Sequence, residues 1–121
     1  MNINRILLGG NLTRKPESSK TNKGTSVCKF SIAYNDYQGN SEKTTYYFNI
    51  VSYGTTADNC SKYLDKGSCV LVEGKLVTRS YKAKDGTNKN VTEIIASNVM
   101  FLSGNKGKSN NEQSQQGELD Y

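Results

Sequence analysis

The chain has 121 residues, enough for one domain with a modest core, and its 16 Lys and Arg against 11 Asp and Glu leave a formal charge of +5 that favours a polyanionic partner. It contains no His, which removes the usual general base and the commonest transition-metal ligand, and it has no apolar run near the ~20 residues of a membrane span. Its three thiols, Cys28, Cys60 and Cys69, form no close pair, so they draw neither a disulfide framework nor a zinc-ligand spacing and read as small core residues in a reducing compartment. The opening Met-Asn-Ile-Asn-Arg lacks the basic, apolar and cleavage regions of a signal peptide, and the expectation is a soluble cytoplasmic protein with no membrane contact.

Residues 4–12 (NRILLGGNL) form a short apolar run with a Gly pair, as in a buried first strand that bends or lets another backbone approach. Residues 13–25 are polar, carry the only proline, Pro16, and have Gly24 near their end, so they read as a long connection. From Val27 to Tyr34, the side chains of Cys28, Phe30, Ile32 and Tyr34 alternate with Lys29, Ser31 and Ala33, which predicts a half-buried second strand. Residues 36–43 contain Gln38, Gly39, Asn40 and Ser41 and read as a turn-rich loop.

The third strand, Thr44 to Tyr53, sets Tyr46, Phe48 and Ile50 on one face and Thr45, Tyr47, Asn49, Val51 and Tyr53 on the other, the face assigned to a ligand. Between Thr55 and Lys66, the spacing of Ala57, Cys60 and Leu64 predicts a helix, with Thr55 or Thr56 as N-cap and Gly67 as its stop. Ser68 to Lys82 alternates Val70, Val72, Gly74 and Leu76 inward with Glu73, Lys75, Arg79 and Tyr81 outward. It then meets Asp85-Gly86, a hairpin signal whose partner strand runs from Asn90 to about Ala96. Val99 to Leu102 closes the apolar pattern.

Three strands, a helix and two strands are the connectivity of an all-β OB-fold, a five-stranded Greek-key barrel. It is expected over residues 1–102, followed at 103–121 by a short disordered C-terminal tail rich in Asn, Gln, Ser, Gly and Lys.

Flat rings on basic strands suit unpaired bases, which need π-faces, and a flexible phosphate chain, which needs cations along its path. Tyr47 and Tyr53 share a strand face about 20 Å apart, and Tyr81 follows Arg79 with the same parity. Arg5, Arg14, Lys66 and Arg79, with Lys82 and Lys84 in the hairpin, are the candidate phosphate partners. The same rings would also serve to cap the barrel or fill a subunit interface, and the same cations would form a solvated surface. Tyr34, Tyr46 and Tyr63 are assigned to structure. No pair of acids has a spacing that suggests shared acid/base work, and no phosphate-cradling loop or dinucleotide fingerprint is present. No catalytic residue, metal site or cofactor is therefore predicted.

Four stretches also carry a family resemblance: NRILLGGNLTRKPE at 4–17, YFNIVSYG at 47–54, YLDKGSCVLVEGKLVTRSY at 63–81, and the Asp-Gly hairpin followed by TEIIASNVMFL at 92–102. In order and spacing the chain resembles the bacterial and phage single-stranded DNA-binding proteins of the SSB family. The resemblance implies a non-enzymatic OB-fold, usually a homotetramer, that wraps single-stranded DNA with little sequence preference in replication, recombination and repair. The family's stacking aromatics map onto Tyr47, Tyr53 and Tyr81, with Tyr37 the best match for an aromatic in the loop after the second strand. Arg5, Lys66 and Arg79 match basic family positions, whereas Asn49, Val77 and Ser80 are uncharged where many relatives carry Lys, Arg or His. Bacterial relatives commonly end in several acids followed by Ile-Pro-Phe, which recruits replication and repair proteins. Glu118, Leu119, Asp120 and Tyr121 keep only a reduced form of that tip, as a phage or mobile-element version would. The rival readings are an RNA-binding OB domain and a protein-interaction OB module.

Overall fold

Period-two alternation gives each apolar segment one face to hide, and a sheet of such strands hides them all by curling until its edges meet. The computed structural model describes residues 1–39 and 42–102. Its strands are β1 (Ile6–Leu12), β2 (Glu17–Lys20), β3 (Ser26–Tyr37), β4 (Lys43–Tyr53), β5 (Cys69–Lys82) and β6 (Asn88–Leu102), with helix α1 (Gly54–Tyr63) between β4 and β5. Neighbours run β1-β5-β6-β4-β3-β2, and β1 also pairs with β3 through Asn11↔Ala33 and Leu12↔Ile32. That second pairing closes β1, β5, β6, β4 and β3 into the five-stranded barrel expected of an OB-fold. β4 and β6 are parallel, through Ile50↔Ile94 and Val51↔Ile95, and the remaining pairings are antiparallel.

The core is filled by Phe30, Ile32, Ile50, Val70, Val72 and Ile94 from the strands, with Ala57 and Cys60 of α1 and the following Leu64 closing one end. Each large aliphatic among them contributes about 1.5–3 kcal/mol of burial. Cys28 and Cys60 are fully buried. Burial, helped by the neighbouring Cys28 and opposed by a hydrogen bond with Ser52, pushes the Cys60 thiol up to about 12. Burial raises Cys28 and the half-buried Cys69 as well, so the thiols are neutral packing groups. Gly10 and Gly74 sit where backbones cross closely. A Cβ on the first would lie 2.4 Å from the Ala33 carbonyl oxygen, and on the second 2.1 Å from that of Ile95.

Several boundaries differ from those the sequence predicts. The connection at 13–25 contains β2, a fully exposed strand that pairs with the start of β3 through a turn tied at Thr21. The Thr21 hydroxyl accepts from the Thr25 amide at 3.1 Å, and Gly24 adopts a φ of 88°. β3 runs on to Tyr37, so that residue ends a strand and pairs with Lys43 instead of sitting in a loop. The helix stops at Tyr63 because Leu64 turns extended and inserts into the core, and no side chain caps its start, where Tyr53 occupies the N-cap. The two apolar runs at the end of the barrel are one strand, β6, interrupted by a bulge: Gly74 pairs with Ala96 but Glu73 with Asn98, which leaves Ser97 over. The Ser97 hydroxyl donates to the Glu73 carbonyl at 3.1 Å. Leu76, expected inward, is 43 % exposed because β5 has by then left the barrel.

Candidate nucleic-acid interface

Residues opposite one another in a ladder share a face. Val51 of β4 lies opposite Lys29 of β3 and Ile95 of β6, and Ile95 lies opposite Lys75 of β5. The odd-numbered residues of β3, β4, β6 up to Ile95, and β5 from Lys75 therefore form one continuous outer face. Tyr37, Tyr47, Tyr53, Arg79 and Tyr81 all belong to it. Tyr37 and Tyr47 are 68 % and 66 % exposed, Tyr53 and Tyr81 47 % and 49 %. The rings stand open to solvent.

The cations divide differently. Arg79 is on the face, but its Nε donates to Glu93 Oε1 and its Nη2 to Oε2, both at 3.2 Å. The hydrogen bonds and then the charge of Glu93 hold the guanidinium above its usual pKa, with smaller contributions from Tyr53 and Tyr81 nearby. Arg5 precedes β1 and is paired with Glu73. Its neighbour Asn4 is locked to Leu76, whose carbonyl accepts from Nδ2 at 2.8 Å and whose amide donates to Oδ1 at 2.9 Å. Arg14 follows β1 and Lys66 precedes β5, where the Gly67 amide donates to the Leu12 carbonyl, so both lie at the far end of β5 from Tyr81. Lys82 has the opposite parity to Tyr81, and Lys84 sits in the hairpin turn. In that turn hydrogen bonds from the Thr87 hydroxyl and amide lower the Asp85 carboxyl.

Sequence reasoning passed over four lysines that the register brings to the aromatic face, all exposed: Lys29, Lys43, Lys75 and Lys89. Strand parity alone was a usable signal for Lys29 and Lys75. Val51, given to the ligand face, is only 2 % exposed; Ile95 lies opposite it on the outside of the barrel, and Val77 and Val91 extend a small apolar floor from there along β5 and β6. On the reverse face Tyr34 and Tyr46 are cross-strand partners whose rings stack at 6.3 Å, and Tyr63 packs against Phe101 at 6.1 Å. Glu118, Leu119, Asp120 and Tyr121 lie outside the described residues. Among the described residues no group of three or more Cys, Asp or Glu is placed to hold a metal ion, and no helix is long and apolar enough to cross a membrane.

Comparison with known proteins bears on this face. The model of the single-strand binding protein family matches residues 3–102. The chain is 40 % identical over 120 residues to single-stranded DNA-binding protein 2 of Chlorobaculum tepidum, covering 95 % of this chain and 80 % of that one. It is 41 % identical over 102 residues to single-stranded DNA-binding protein 1 of Staphylococcus aureus, covering 83 % of this chain and 65 % of the relative. Among solved structures, the Plasmodium falciparum SSB complex with ssDNA superposes with a TM-score of 0.78 at 33 % identity, over 85 % of this chain and 97 % of that one.

Proposed function

The chain belongs to the single-strand binding protein family, and we propose that it binds single-stranded DNA with little sequence preference in replication, recombination and repair. The observation that carries the mechanism is the common outer face of Tyr37, Tyr47, Tyr53 and Tyr81, each at least 47 % exposed, with lysines interleaved. Bases stack on the rings, at about 1–3 kcal/mol each, and Lys29, Lys43, Lys75 and Lys89 neutralise the phosphates between them. Tyr is a smaller platform than Trp, so each contact falls below the top of that range. Stacking and ion pairing make and break no covalent bond, so the activity is non-enzymatic and needs no metal or cofactor.

The reading extends to a homo-oligomer, a tetramer, acting in the cytoplasm, where unpaired chromosomal or phage DNA arises. Support for assembly is an apolar strip outside the barrel at the β1 edge, where Leu7 is 64 % exposed beside the half-buried Leu71 and Met100. Glu118, Leu119, Asp120 and Tyr121 are proposed to dock replication or repair proteins, their two acids and aromatic end suiting a basic, apolar groove.

The direct test is a titration of tyrosine fluorescence with oligo(dT) at several salt concentrations. Quenching is expected, with log K falling by roughly 0.7 per neutralised phosphate for each decade of salt. Absence of quenching in dilute buffer overturns the reading, and stronger competition by oligo(U) than by oligo(dT) moves it to RNA.

A further inference from the structure

An acid lies in the middle of the aromatic face, where a phosphate-binding surface has no use for one. Glu93 is 9 % exposed, set opposite Val77 and flanked on its own strand by Val91 and Ile95. Both its carboxylate oxygens are taken by Arg79, whose side chain remains 53 % exposed. Tyr81 follows Arg79 by two residues on the same face, about 7 Å along the strand. The lysines of the face are different: Lys29, Lys43, Lys75 and Lys89 enter no ion pair with an acid among the described residues.

We propose that Glu93 determines what this face accepts: by clamping Arg79 it makes the floor beside Tyr81 electrically neutral, so that bases settle there and phosphates are led to the lysines. The inference rests on the single-stranded DNA reading above. A free guanidinium is a planar, bidentate phosphate ligand. Seated in the floor it would draw the phosphate chain onto the strands and turn the attached bases away from the rings. A carboxylate beside it cancels that attraction and repels a phosphate at short range, while a neutral base meets no such cost. Duplex DNA, which offers phosphates outside and keeps its bases stacked within, gains nothing from a neutral floor. Glu93 thereby favours unpaired strands.

The test compares the salt dependence of oligo(dT) binding for the wild type, Glu93→Gln and the double variant Arg79→Gln/Glu93→Gln, read by tyrosine quenching. Glu93→Gln frees one cation, so its slope of log K on log salt is expected to steepen by ~0.7, with duplex DNA becoming a better competitor. The double variant is again neutral at the floor, and its slope is expected to match the wild type. An unchanged Glu93→Gln slope overturns the proposal. So does a double-variant slope shallower than wild type by ~0.7, which would mean that Arg79 already holds a phosphate. The double variant leaves no uncompensated charge, so even if the single variant fails to fold it still reports whether Arg79 holds a phosphate in the wild type. Wild type that does not bind oligo(dT) at all would instead remove the broader reading.

Discussion

At the scale of single residues, the exposed rings and the buried thiols make opposite predictions. Tyr47 and Tyr53 protrude from a strand whose core contacts are made by Ile50 and Phe48, so truncating either ring removes little packing. Tyr47→Ala and Tyr53→Ala should each weaken oligo(dT) binding by about 5- to 50-fold, toward the lower part of the stacking range, with thermal midpoints close to wild type. Normal affinity in both folded variants would take these rings out of the site. Cys60 acts on stability instead. Burial holds it at about 12 in the folded chain, above the ordinary 9.0 of an exposed thiol, so the unfolded chain ionises first as pH rises. The stability this thiol contributes is whole below pH 9 and is lost progressively from there towards 12. The thermal midpoint should therefore decline across that window, and less steeply in Cys60→Ala; equal steepness would show that other groups cause the decline.

At the scale of elements, Ser97 does more than its side chain suggests. The extra residue changes the parity of β6, so that Ala96 and Ile94 point inward before it and Val99 and Phe101 after it. Deleting Ser97 would remove the bulge and leave plain alternation against β5, with Ala96, Val99 and Phe101 still inward and Asn98 and Met100 still outward. Cooperative unfolding in circular dichroism is expected to persist, at a midpoint lowered by loss of the Ser97 hydrogen bond and of the local bend, and loss of cooperativity would mean that the bend itself is needed to close the barrel. The same element shows which features were legible. The alternation in β3, β4 and β5 and the helix spacing of Ala57 and Cys60 carried enough apolar signal to set the order of the barrel. β2 carried none, because Glu17, Ser18, Ser19 and Lys20 all face water, and only the Thr21 to Gly24 turn marks it. Tyr47, Tyr53 and Tyr81 could be placed from strand parity, whereas Tyr37 came from the family resemblance and was expected in a loop. Among the cations, Arg79 could be placed from parity in the same way and Lys29, Lys43 and Lys75 carry the odd parity of their strands, whereas Lys89 joins the face only through cross-strand register and Arg14 and Lys66 are separated from Tyr81 by the length of β5.

For the whole molecule, the outer surface has two characters that call for different partners. The face of β3, β4, β6 and late β5 is aromatic and cationic; that of β1, early β5 and late β6 carries an apolar strip of Leu7, Leu71 and Met100 in adjoining strands, bordered by Glu73 opposite Leu7. An apolar strip left in water favours burial against another surface, and a second copy of the same strip is self-complementary under two-fold symmetry. Copies joined there would leave their aromatic faces uncovered, so each added protomer would lengthen the path available to one DNA strand. Leu7 lies outside the barrel core, so Leu7→Gln should leave each barrel folded. Its expected effects are a light-scattering mass that drops towards a single chain and a shorter stretch of oligo(dT) occluded per particle. Quenching per protomer should persist, because none of the four rings is touched. An unchanged mass would put the contact elsewhere on the barrel, and loss of quenching together with mass would mean that the rings themselves are completed by a neighbouring copy.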